Sequence, residues 1–451
     1  MKLPSITVLV SNKIKPFNKI IKVDSDKSIS IRSFIIGSIC QGISFAENVL
    51  ESEDVKSTIA TCKKLGVKIE KIKPQTYKIY GKGLGSLRVK KNSILNFSNS
   101  GTASRLMLGV LSTTPNIEAK IIGDHSLNKR SMKKLIDILS KFGTTFLPKG
   151  KNNFPLKMIS SKFPIGINYK AGISAQLKSA TILAGLNSYG NTFVEERNNS
   201  RDHTENLLLK NSQAIKVSNN KKKKIITIFG KKYIKPLKIK INSDPSSAAF
   251  FTALTLLNKN SSLKIKNVGL NPTRTGFYDI IKKQNAKIKF LNLKKKNNEI
   301  SGDILVRSSM LKPINVSSKF YSRTTDEYLI LFVIAALTEG VSVFFGIRDL
   351  ANKESSRAYE MKKILHQIGV KCILKKDQMK IYGKGMIDAS DKKILIGNLG
   401  DHRVAMVAFI LGILTNAKVK IKNFETVFTS SPSFLKIMKS LGAKFEIKKL
   451  S

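Results

Sequence analysis

One pattern recurs six times along the 451-residue chain and constrains its fold more than any other feature: a short polar segment that runs into an apolar stretch. The polar segments start at residues 26, 100, 174, 244, 326 and 401, so the repeat is about 75 residues long. Each repeat has a second marker, a small residue between the end of a predicted helix and the next strand. These markers are Gly66, Gly143, Ala214, Ala286, Gly369 and Gly442. The chain is therefore predicted to contain six copies of one supersecondary unit.

The apolar stretches of the repeats are apolar on nearly every side, as in Phe250 to Leu257. A helix of that kind has no polar face to show to water, so these helices are predicted to be buried. Strand patterns such as Val341 to Phe345 alternate with the helices. This alternation indicates the α/β class with mixed sheets, and each repeat reads as a βαβαββ unit.

The chain is too long for a single core, and its length suggests two domains with three repeats in each. The simplest closure is a pseudo-threefold arrangement with helices inside and sheets outside. We therefore predict a two-domain inside-out α/β barrel built from six βαβαββ units. The predicted boundaries are 25–241 for the first lobe, and 1–24 with 242–451 for the second. The active site is predicted in the cleft between the lobes.

The polar segments have the chemistry of an anion site. In Asp26 to Arg32, a helix N-terminus would present free backbone N–H groups together with a hydroxyl and two cations. A plain helix N-cap is the alternative interpretation of Asp26, Asp244 and Asp401. Six such segments in one chain nevertheless favour a substrate with more than one anionic group.

The composition, 41% hydrophobic and 24% charged, is that of a soluble globular protein. The longest apolar run, Leu329 to Leu337, is about half the length of a bilayer span, so no membrane partner is predicted. The start of the chain does not resemble a signal peptide, which predicts an unprocessed cytoplasmic protein. The three scattered cysteines, Cys40, Cys62 and Cys372, fit a reducing compartment and are interpreted as small core residues.

The net charge of +50 suggests a nucleic-acid partner, but the pattern of the charge does not. Lysines are spread along the chain in loops such as Lys221 to Lys224 and Lys294 to Lys296, beside many Asn and Ile residues. No aromatic RNA-binding signature, GxxG clamp or metal finger accompanies them. We therefore predict a solvated basic surface without a nucleic-acid partner, and a basic cleft for small anionic substrates.

Seven segments, in order, resemble the motifs of the enolpyruvyl transferases that make 5-enolpyruvylshikimate 3-phosphate. They are Asp26–Arg32, Asn99–Leu106, Gly123–Arg130, Ser174–Ala180, Ser200–Glu205, Lys353–Arg357 and Asp401–Met406. The resemblance covers almost the entire chain. It implies transfer of the enolpyruvyl group of phosphoenolpyruvate to the 5-hydroxyl of shikimate 3-phosphate, a step of the shikimate pathway towards chorismate and aromatic amino acids. It also implies a monomer that needs no cofactor or metal.

The resemblance assigns roles to individual residues. Shikimate 3-phosphate would be bound by Lys27, Ser28, Arg32, Ser174, Ala175, Gln176, Ser200, Arg201, Asp326 and Lys353. Phosphoenolpyruvate would be bound by Lys27, Asn99, Gly101, Thr102, Arg130, Gln176, Arg357 and Arg403.

The reaction adds the hydroxyl to the enol and then eliminates phosphate, so it needs a base for the hydroxyl, an acid/base for C3 and cations for the phosphate. Asp326 and Glu354 are the predicted catalytic carboxylates, and Lys27 and Lys353 are expected to be close enough to tune or share the proton transfer. The alternative interpretation of Glu354 is a surface residue paired with Arg357 at i+3, and that of Lys178 is a solvated helix position.

Some positions depart from the family pattern, and other functions compete with the main interpretation. Ser356 replaces an aspartate before Arg357, which predicts a looser arginine, and Thr429 stands where many members have a lysine.

The sister transferase acting on UDP-N-acetylglucosamine usually has a reactive cysteine before the arginine that Arg130 matches, and this chain has none there. An RNA 3′-phosphate cyclase needs a histidine near the C-terminus, yet none follows His402. A decayed copy kept as a binding module is the third alternative.

Overall fold

The computed structural model describes residues 5–211, 213–220 and 223–449. They divide into two compact units, and the chain passes between them four times. One unit comprises residues 25–241 with the short segment 295–299, and the other comprises 5–24, 242–294 and 300–449. We call them the 25–241 unit and the 242–449 unit. The lysine run at 221–224 lies only partly within the described residues.

The helices of the described residues, in chain order, are α1 Lys27–Ile39, α2 Glu53–Lys64, α3 Gly101–Ser112, α4 His125–Lys129, α5 Lys133–Ser140, α6 Ala175–Gly185, α7 His203–Leu208, α8 Pro245–Leu257, α9 Gly276–Lys282, α10 Tyr321–Thr324, α11 Tyr328–Ala336, α12 Arg357–Gln367, α13 His402–Thr415 and α14 Phe434–Ser440. Three 3₁₀ segments span Ser318–Phe320, Arg348–Asn352 and Phe424–Thr429.

The strands are β1 Ile6–Val10, β2 Asn18–Ile21, β3 Gln41–Glu47, β4 Lys68–Lys73, β5 Thr76–Lys82, β6 Ser93–Asn96, β7 Glu118–Ile122, β8 Thr145–Leu147, β9 Leu156–Ile159, β10 Asn168–Ala171, β11 Asn191–Glu196, β12 Ile215–Asn220, β13 Lys223–Phe229, β14 Lys238–Lys240, β15 Ser262–Gly269, β16 Lys287–Lys296, β17 Glu299–Arg307, β18 Asn315–Val316, β19 Gly340–Phe345, β20 Cys372–Lys375, β21 Gln378–Gly383, β22 Lys393–Ile396, β23 Lys418–Ile421 and β24 Phe445–Lys449.

The strands form six four-stranded sheets, three in each unit. In the 25–241 unit the strand orders are β14-β3-β5-β4, β6-β7-β9-β8 and β10-β11-β13-β12. In the 242–449 unit they are β16-β17-β15-β2, β18-β19-β21-β20 and β22-β23-β1-β24. Every sheet contains one parallel pair beside antiparallel pairing, for example β6 with β7 and then β7 with β9. The predicted mixed-sheet α/β class with six repeated units is confirmed.

The first long helix of each repeat lies in the core of its unit. In the 242–449 unit, α8, α11 and α13 contact one another, and every residue of α8 and α11 is buried. Such helices are apolar all round because each side faces other parts of the protein. The second helix of a repeat can be amphipathic instead, as in α5, which buries only Leu135, Ile138 and Leu139, whereas every residue of α7 is buried. The prediction of inner helices and outer sheets holds within each unit.

Two strands pair outside the repeat that follows them in the chain, and the predicted lobe boundaries at 24/25 and 241/242 already separated both strands from that repeat. β2 precedes α1 in the chain, but it pairs in parallel with β15 of the 242–449 unit. β14 precedes α8, but it pairs in parallel with β3 of the 25–241 unit. The partner of each strand is set by hydrogen bonding between distant segments, so the local pattern of β2 or β14 does not identify the strand with which it pairs.

Four of the six predicted helix-end markers are glycines with a left-handed backbone. Gly66, Gly143, Gly369 and Gly442 have φ between 75° and 95°, which other residues adopt only at a cost. In the fourth repeat Asn285, at φ 65°, takes this conformation just before Ala286. The three cysteines are free and buried, as predicted for core residues. No helix in the described ranges has the length and apolar character needed to cross a bilayer.

Candidate active site

In five of the six repeats the polar segment caps the helix that follows it, and in the fifth repeat α11 begins at Tyr328 without a side-chain capping bond. Asp26, Ser100 and Ser174 each accept a hydrogen bond from a backbone N–H in the first turn of α1, α3 and α6. Asp244 and Asp401 do the same for α8 and α13. The alternative interpretation of Asp26, Asp244 and Asp401 as helix N-caps is therefore confirmed. Removing such a cap costs about 1 kcal/mol of stability. These aspartates therefore fix the backbone at the starts of α1, α8 and α13.

In the 25–241 unit, the starts of α3 and α6 are joined by side-chain hydrogen bonds. Gln176 donates to Thr102 Oγ1 at 3.0 Å and accepts from Arg105 Nη1 at 3.0 Å. Arg105 Nη1 also donates to the Gly101 carbonyl at 3.1 Å. Three residues assigned to phosphoenolpyruvate, Gly101, Thr102 and Gln176, are thus brought together. Arg105 completes the group, although the sequence analysis gave it no role.

Arg130 approaches the same helix start from the loop after α4. Its Nη2 donates to Asn99 Oδ1 at 2.7 Å, so two further predicted phosphoenolpyruvate residues are in contact. A Cβ atom added at Gly101 would lie 3.0 Å from Arg130 Nη1 and 2.6 Å from Arg105 Nη1. A residue larger than glycine would therefore push on both guanidinium groups.

Replacing Gly101 with alanine is expected to raise KM for phosphoenolpyruvate about 10-fold, because small misplacements of charged ligands are costly. KM for shikimate 3-phosphate should stay within about twofold, since Arg130 is assigned to phosphoenolpyruvate and Arg105 donates to Gly101 of the same ligand group. Steady-state kinetics with each substrate varied in turn measures both values. Gly397→Ala is the matched control, because its added Cβ would meet no atom within 4 Å. Equal rises in the two KM values would contradict the assignment.

Lys27 and Arg32 lie on the first turns of α1, and both are held by neighbours. Lys27 Nζ lies 2.9 Å from Asp54 Oδ2, on the first turn of α2. Arg32 is 3% exposed and donates from Nε to Thr204 Oγ1 at 2.8 Å and from Nη2 to Ser179 Oγ at 3.2 Å. Its Nη1 donates to the Ser28 carbonyl at 3.0 Å. The predicted ligands Lys27, Ser28 and Arg32 are therefore neighbours with fixed positions.

The interpretation of Lys178 as a solvated position is wrong. Its side chain is fully buried on α6, and its Nζ lies 3.0 Å from Glu196 Oε1 and 2.8 Å from Glu205 Oε1. Burial alone would lower the pKa of Lys178, but the two carboxylates raise it. The periodicity of α6 could not reveal this because the two glutamates come from β11 and α7.

The loop between β11 and α7 carries the predicted ligands Ser200 and Arg201. Ser200 is 1% exposed and donates its N–H and its O–H to Glu196 Oε1 at 2.7 and 2.6 Å. Arg201 is only partly buried. The hydroxyl hydrogen of Ser200 is thus already used within the protein, and Arg201 follows it in the same loop.

In the 242–449 unit, the predicted catalytic carboxylates surround one buried guanidinium. Arg357 is 1% exposed, and its Nη2 donates to Glu354 Oε2 at 2.7 Å. Its Nε and Nη2 donate to the two oxygens of Asp401 at 2.9 and 3.3 Å. Asp326 Oδ1 lies 3.6 Å from Nη1. Burial would lower the pKa of Arg357, but Asp401 and Glu354 raise it, so the guanidinium is charged.

The expected loosening of Arg357 by Ser356 does not occur in this geometry. Ser356 is the N-cap of α12 but makes no side-chain capping bond. Arg357 is fixed instead by the bidentate contact with Asp401 and by Glu354. Glu354 pairs with Arg357 at i+3, as the alternative interpretation has it, and it shares that guanidinium with Asp326. Its catalytic role stays a prediction.

Asp326 is held in position by Arg403 and by the contacts of the next residue in the chain, Glu327. Arg403 donates from Nη1 to the Asp326 carbonyl at 3.1 Å, and its Nε lies 3.4 Å from Asp326 Oδ1. The next residue, Glu327, is buried and accepts a hydrogen bond from Ser246. Ser246 accepts in turn from Arg274 Nη2 at 2.8 Å. A buried chain of polar side chains therefore anchors the turn that carries Asp326, while Arg357 and Arg403 approach Asp326 from α12 and α13.

Lys353 is the remaining predicted ligand of this unit. Its Nζ lies 2.6 Å from Asp349 Oδ2, which also accepts from the Tyr321 hydroxyl at 3.1 Å. Lys353 is next to Glu354 in the chain, so it belongs to the same cluster. Asp349 holds its ammonium group, although the sequence analysis gave Asp349 no role.

One group of side chains in the described ranges could hold a metal ion: Asp202, His203 and Glu299. His203 Nδ1 and Glu299 Oε1 are 2.8 Å apart, which is a direct hydrogen bond. Asn206 donates to Asp202 at 3.2 Å and to Glu299 at 3.0 Å. These side chains satisfy one another, and the arrangement is explained as a hydrogen-bond network. The absence of a metal requirement stays a prediction.

Comparison with known proteins decides the family. The family model described as EPSP synthase (3-phosphoshikimate 1-carboxyvinyltransferase) matches residues 11–438. The chain belongs to the EPSP synthase family. The resemblance read from the seven sequence segments is thereby confirmed, and every predicted site residue lies within the range that matches the EPSP synthase model.

Individual relatives agree with this result. The 3-phosphoshikimate 1-carboxyvinyltransferase of Zymomonas mobilis is 38% identical, and the match covers 97% of each chain. An EPSP synthase structure from Acinetobacter baumannii has a TM-score of 0.83 at 31% identity and covers 98% of this chain and 100% of its own. An enolpyruvyl transferase from Streptomyces tendae has a TM-score of 0.74 over 99% of both chains. At 11% identity, this last likeness concerns the fold alone.

Proposed function

We infer that the chain transfers the enolpyruvyl group of phosphoenolpyruvate to the 5-hydroxyl of shikimate 3-phosphate and releases phosphate. The observation that carries this inference is the match to the EPSP synthase family over residues 11–438. The two residue clusters support it, because each substrate has a phosphate and a carboxylate and needs fixed cations and N–H donors. The reaction belongs to the shikimate pathway.

The residues of the 25–241 unit are assigned to substrate binding. Arg130, Asn99 and the start of α3 at Gly101 supply donors for phosphoenolpyruvate, because a helix N-terminus with an adjacent guanidinium favours an anion. Arg32 and the loop with Arg201 supply cations for shikimate 3-phosphate.

The proton transfers and the stabilisation of the leaving phosphate are assigned to Asp326, Glu354, Arg357 and Arg403 of the 242–449 unit. The 5-hydroxyl oxygen attacks C2 while its proton is taken up by a carboxylate, and C3 gains a proton to become a methyl group. The C2–O bond to phosphate then breaks as C3 loses a proton and the double bond re-forms. Asp326 and Glu354 are the proposed proton carriers, one for each position, because both lie beside Arg357. Arg357 and Arg403 stabilise the charge of the departing phosphate.

The test is release of phosphate from phosphoenolpyruvate by the purified protein. We expect release when shikimate 3-phosphate is present, and none with phosphoenolpyruvate alone or with UDP-N-acetylglucosamine as the acceptor. A malachite green assay over matched substrate concentrations measures this directly. Release with UDP-N-acetylglucosamine, or without any acceptor, would show that the proposed acceptor is wrong.

A further inference from the structure

Lys178 belongs to a buried charge network that no step of the proposed mechanism uses. Besides Glu196 and Glu205, the network includes Lys224, whose Nζ lies 3.8 Å from Glu196 and 3.6 Å from Glu205. Lys178, Glu196 and Glu205 are at most 1% exposed, and Lys224 is 14% exposed. Two cations face two carboxylates, so the network is balanced in charge. Such a group is costly to bury unless every member is paired.

The network joins three elements that carry or flank predicted substrate ligands. Lys178 lies one turn into α6, whose first residues include Ala175 and Gln176. Glu196 is the last residue of β11, and Glu205 lies in the first turn of α7. The loop between β11 and α7 contains Ser200 and Arg201. Lys178 therefore ties both ends of this loop to the helix that supplies the other ligands.

The loop itself is also clamped at Ser200. Glu196 Oε1 accepts from both the N–H and the O–H of Ser200, and Lys178 Nζ donates to the Ser200 carbonyl at 3.4 Å. Hydrogen bonds to charged groups are roughly twice as strong as neutral ones. Every polar group of Ser200 is thus held by the network. Its hydroxyl hydrogen points to Glu196, so the loop's donor to a phosphate is the guanidinium of Arg201.

We propose that Glu196 and Lys178 are positioning residues that fix Arg201 relative to the start of α6 for binding of shikimate 3-phosphate. This rests on the proposed function for the identity of the ligand. Neither residue touches the reacting atoms, and both act through the loop. Loss of Glu196 weakens binding of the shikimate partner and leaves the phosphoenolpyruvate ligands at the start of α3 in place.

The test compares two neighbouring glutamates of β11. Glu196→Gln keeps the shape but removes the charge, and is expected to raise KM for shikimate 3-phosphate about 10-fold. KM for phosphoenolpyruvate at saturating acceptor should stay within about twofold, and kcat within about threefold. Glu195→Gln is the control, because Glu195 pairs only with exposed or half-exposed partners, Arg197 and Lys223, in the described contacts. An unchanged KM for shikimate 3-phosphate, or equal rises in both KM values, would overturn the proposal.

A second measurement does not depend on activity. Hydrogen–deuterium exchange of the wild-type and variant proteins should show faster exchange at the Ser200 amide in Glu196→Gln, about 10-fold or more, and no change in Glu195→Gln. If the wild-type protein does not use shikimate 3-phosphate, the proposed function fails while this measurement still tests the clamp. Unchanged exchange in Glu196→Gln overturns the clamp whatever the substrate.

A charge-balanced variant guards against misfolding of Glu196→Gln. The double variant Lys178→Met/Glu205→Gln removes one cation and one anion, so the remaining Lys224 and Glu196 stay balanced. It loses the bond from Lys178 to the Ser200 carbonyl and is expected to raise KM for shikimate 3-phosphate about fivefold. A folded double variant with parental KM values for both substrates would overturn the role of Lys178.

Discussion

Replacing Asp326 with asparagine is expected to lower kcat about 10²- to 10⁴-fold, because the amide keeps the shape of the side chain but cannot take up a proton. The affinity for shikimate 3-phosphate should change much less than kcat, because the amide oxygen of asparagine can still accept a hydrogen bond from this ligand. Arg403 donates its Nη1 hydrogen to the backbone carbonyl of Asp326, so this contact survives the substitution. Steady-state kinetics gives kcat, and isothermal titration with shikimate 3-phosphate gives the affinity.

Two further variants make this experiment specific. Asp391→Asn removes an exposed carboxylate paired with Lys392 in the same unit, and should leave kcat unchanged. Glu354→Gln should also lower kcat strongly, because Glu354 is the second carboxylate on Arg357. If Asp326→Asn turns over at the parental rate, Asp326 has no part in proton transfer.

Replacing Arg357 with methionine is expected to lower both activity and stability. Asp401 is fully buried and Glu354 mostly so, and each would lose its cation. Breaking a buried ion pair by removing one partner typically costs about 3–5 kcal/mol. Loss of the guanidinium should also lower kcat/KM for phosphoenolpyruvate about 10²- to 10³-fold, as for other charge-stabilising donors.

Thermal unfolding and kinetics on the same preparation separate these effects. Arg357→Lys keeps the charge but cannot form the two hydrogen bonds that join Arg357 to both oxygens of Asp401. Compared with Arg357→Met, it should therefore restore more of the stability than of the activity. Arg307→Met, at an exposed position of β17, is the control for loss of an arginine in this unit. An Arg357→Met protein with the parental melting temperature and kcat/KM would rule out the proposed role of this residue.

The repeat, the buried helices and the caps could be predicted because they depend on local pattern. Asp26, Ser100, Ser174, Asp244 and Asp401 stand before apolar stretches, and each caps the helix that follows. The left-handed glycines after α2, α5, α12 and α14 follow from the same local rules. The strands with which β2 and β14 pair did not follow, because these pairings join distant parts of the chain.

The proposed ligand residues were assigned from their motifs, whereas the residues that hold their side chains and loops in place were not. Asp54 pairs with Lys27, and Glu196 with Ser200, yet neither stands within a recognised segment. Lys178 was misread because its helix gives no hint of partners on β11 and α7. A sequence motif indicates which residues bind a ligand more clearly than it indicates which distant residues hold them in position.

The central claim is that one acceptor, shikimate 3-phosphate, receives the enolpyruvyl group. The most direct test measures released phosphate and identifies the organic product by mass spectrometry in the same reaction. We expect one phosphate for each shikimate 3-phosphate consumed, with the product heavier by the enolpyruvyl group. Phosphate release without that product, or unchanged shikimate 3-phosphate, would contradict the account.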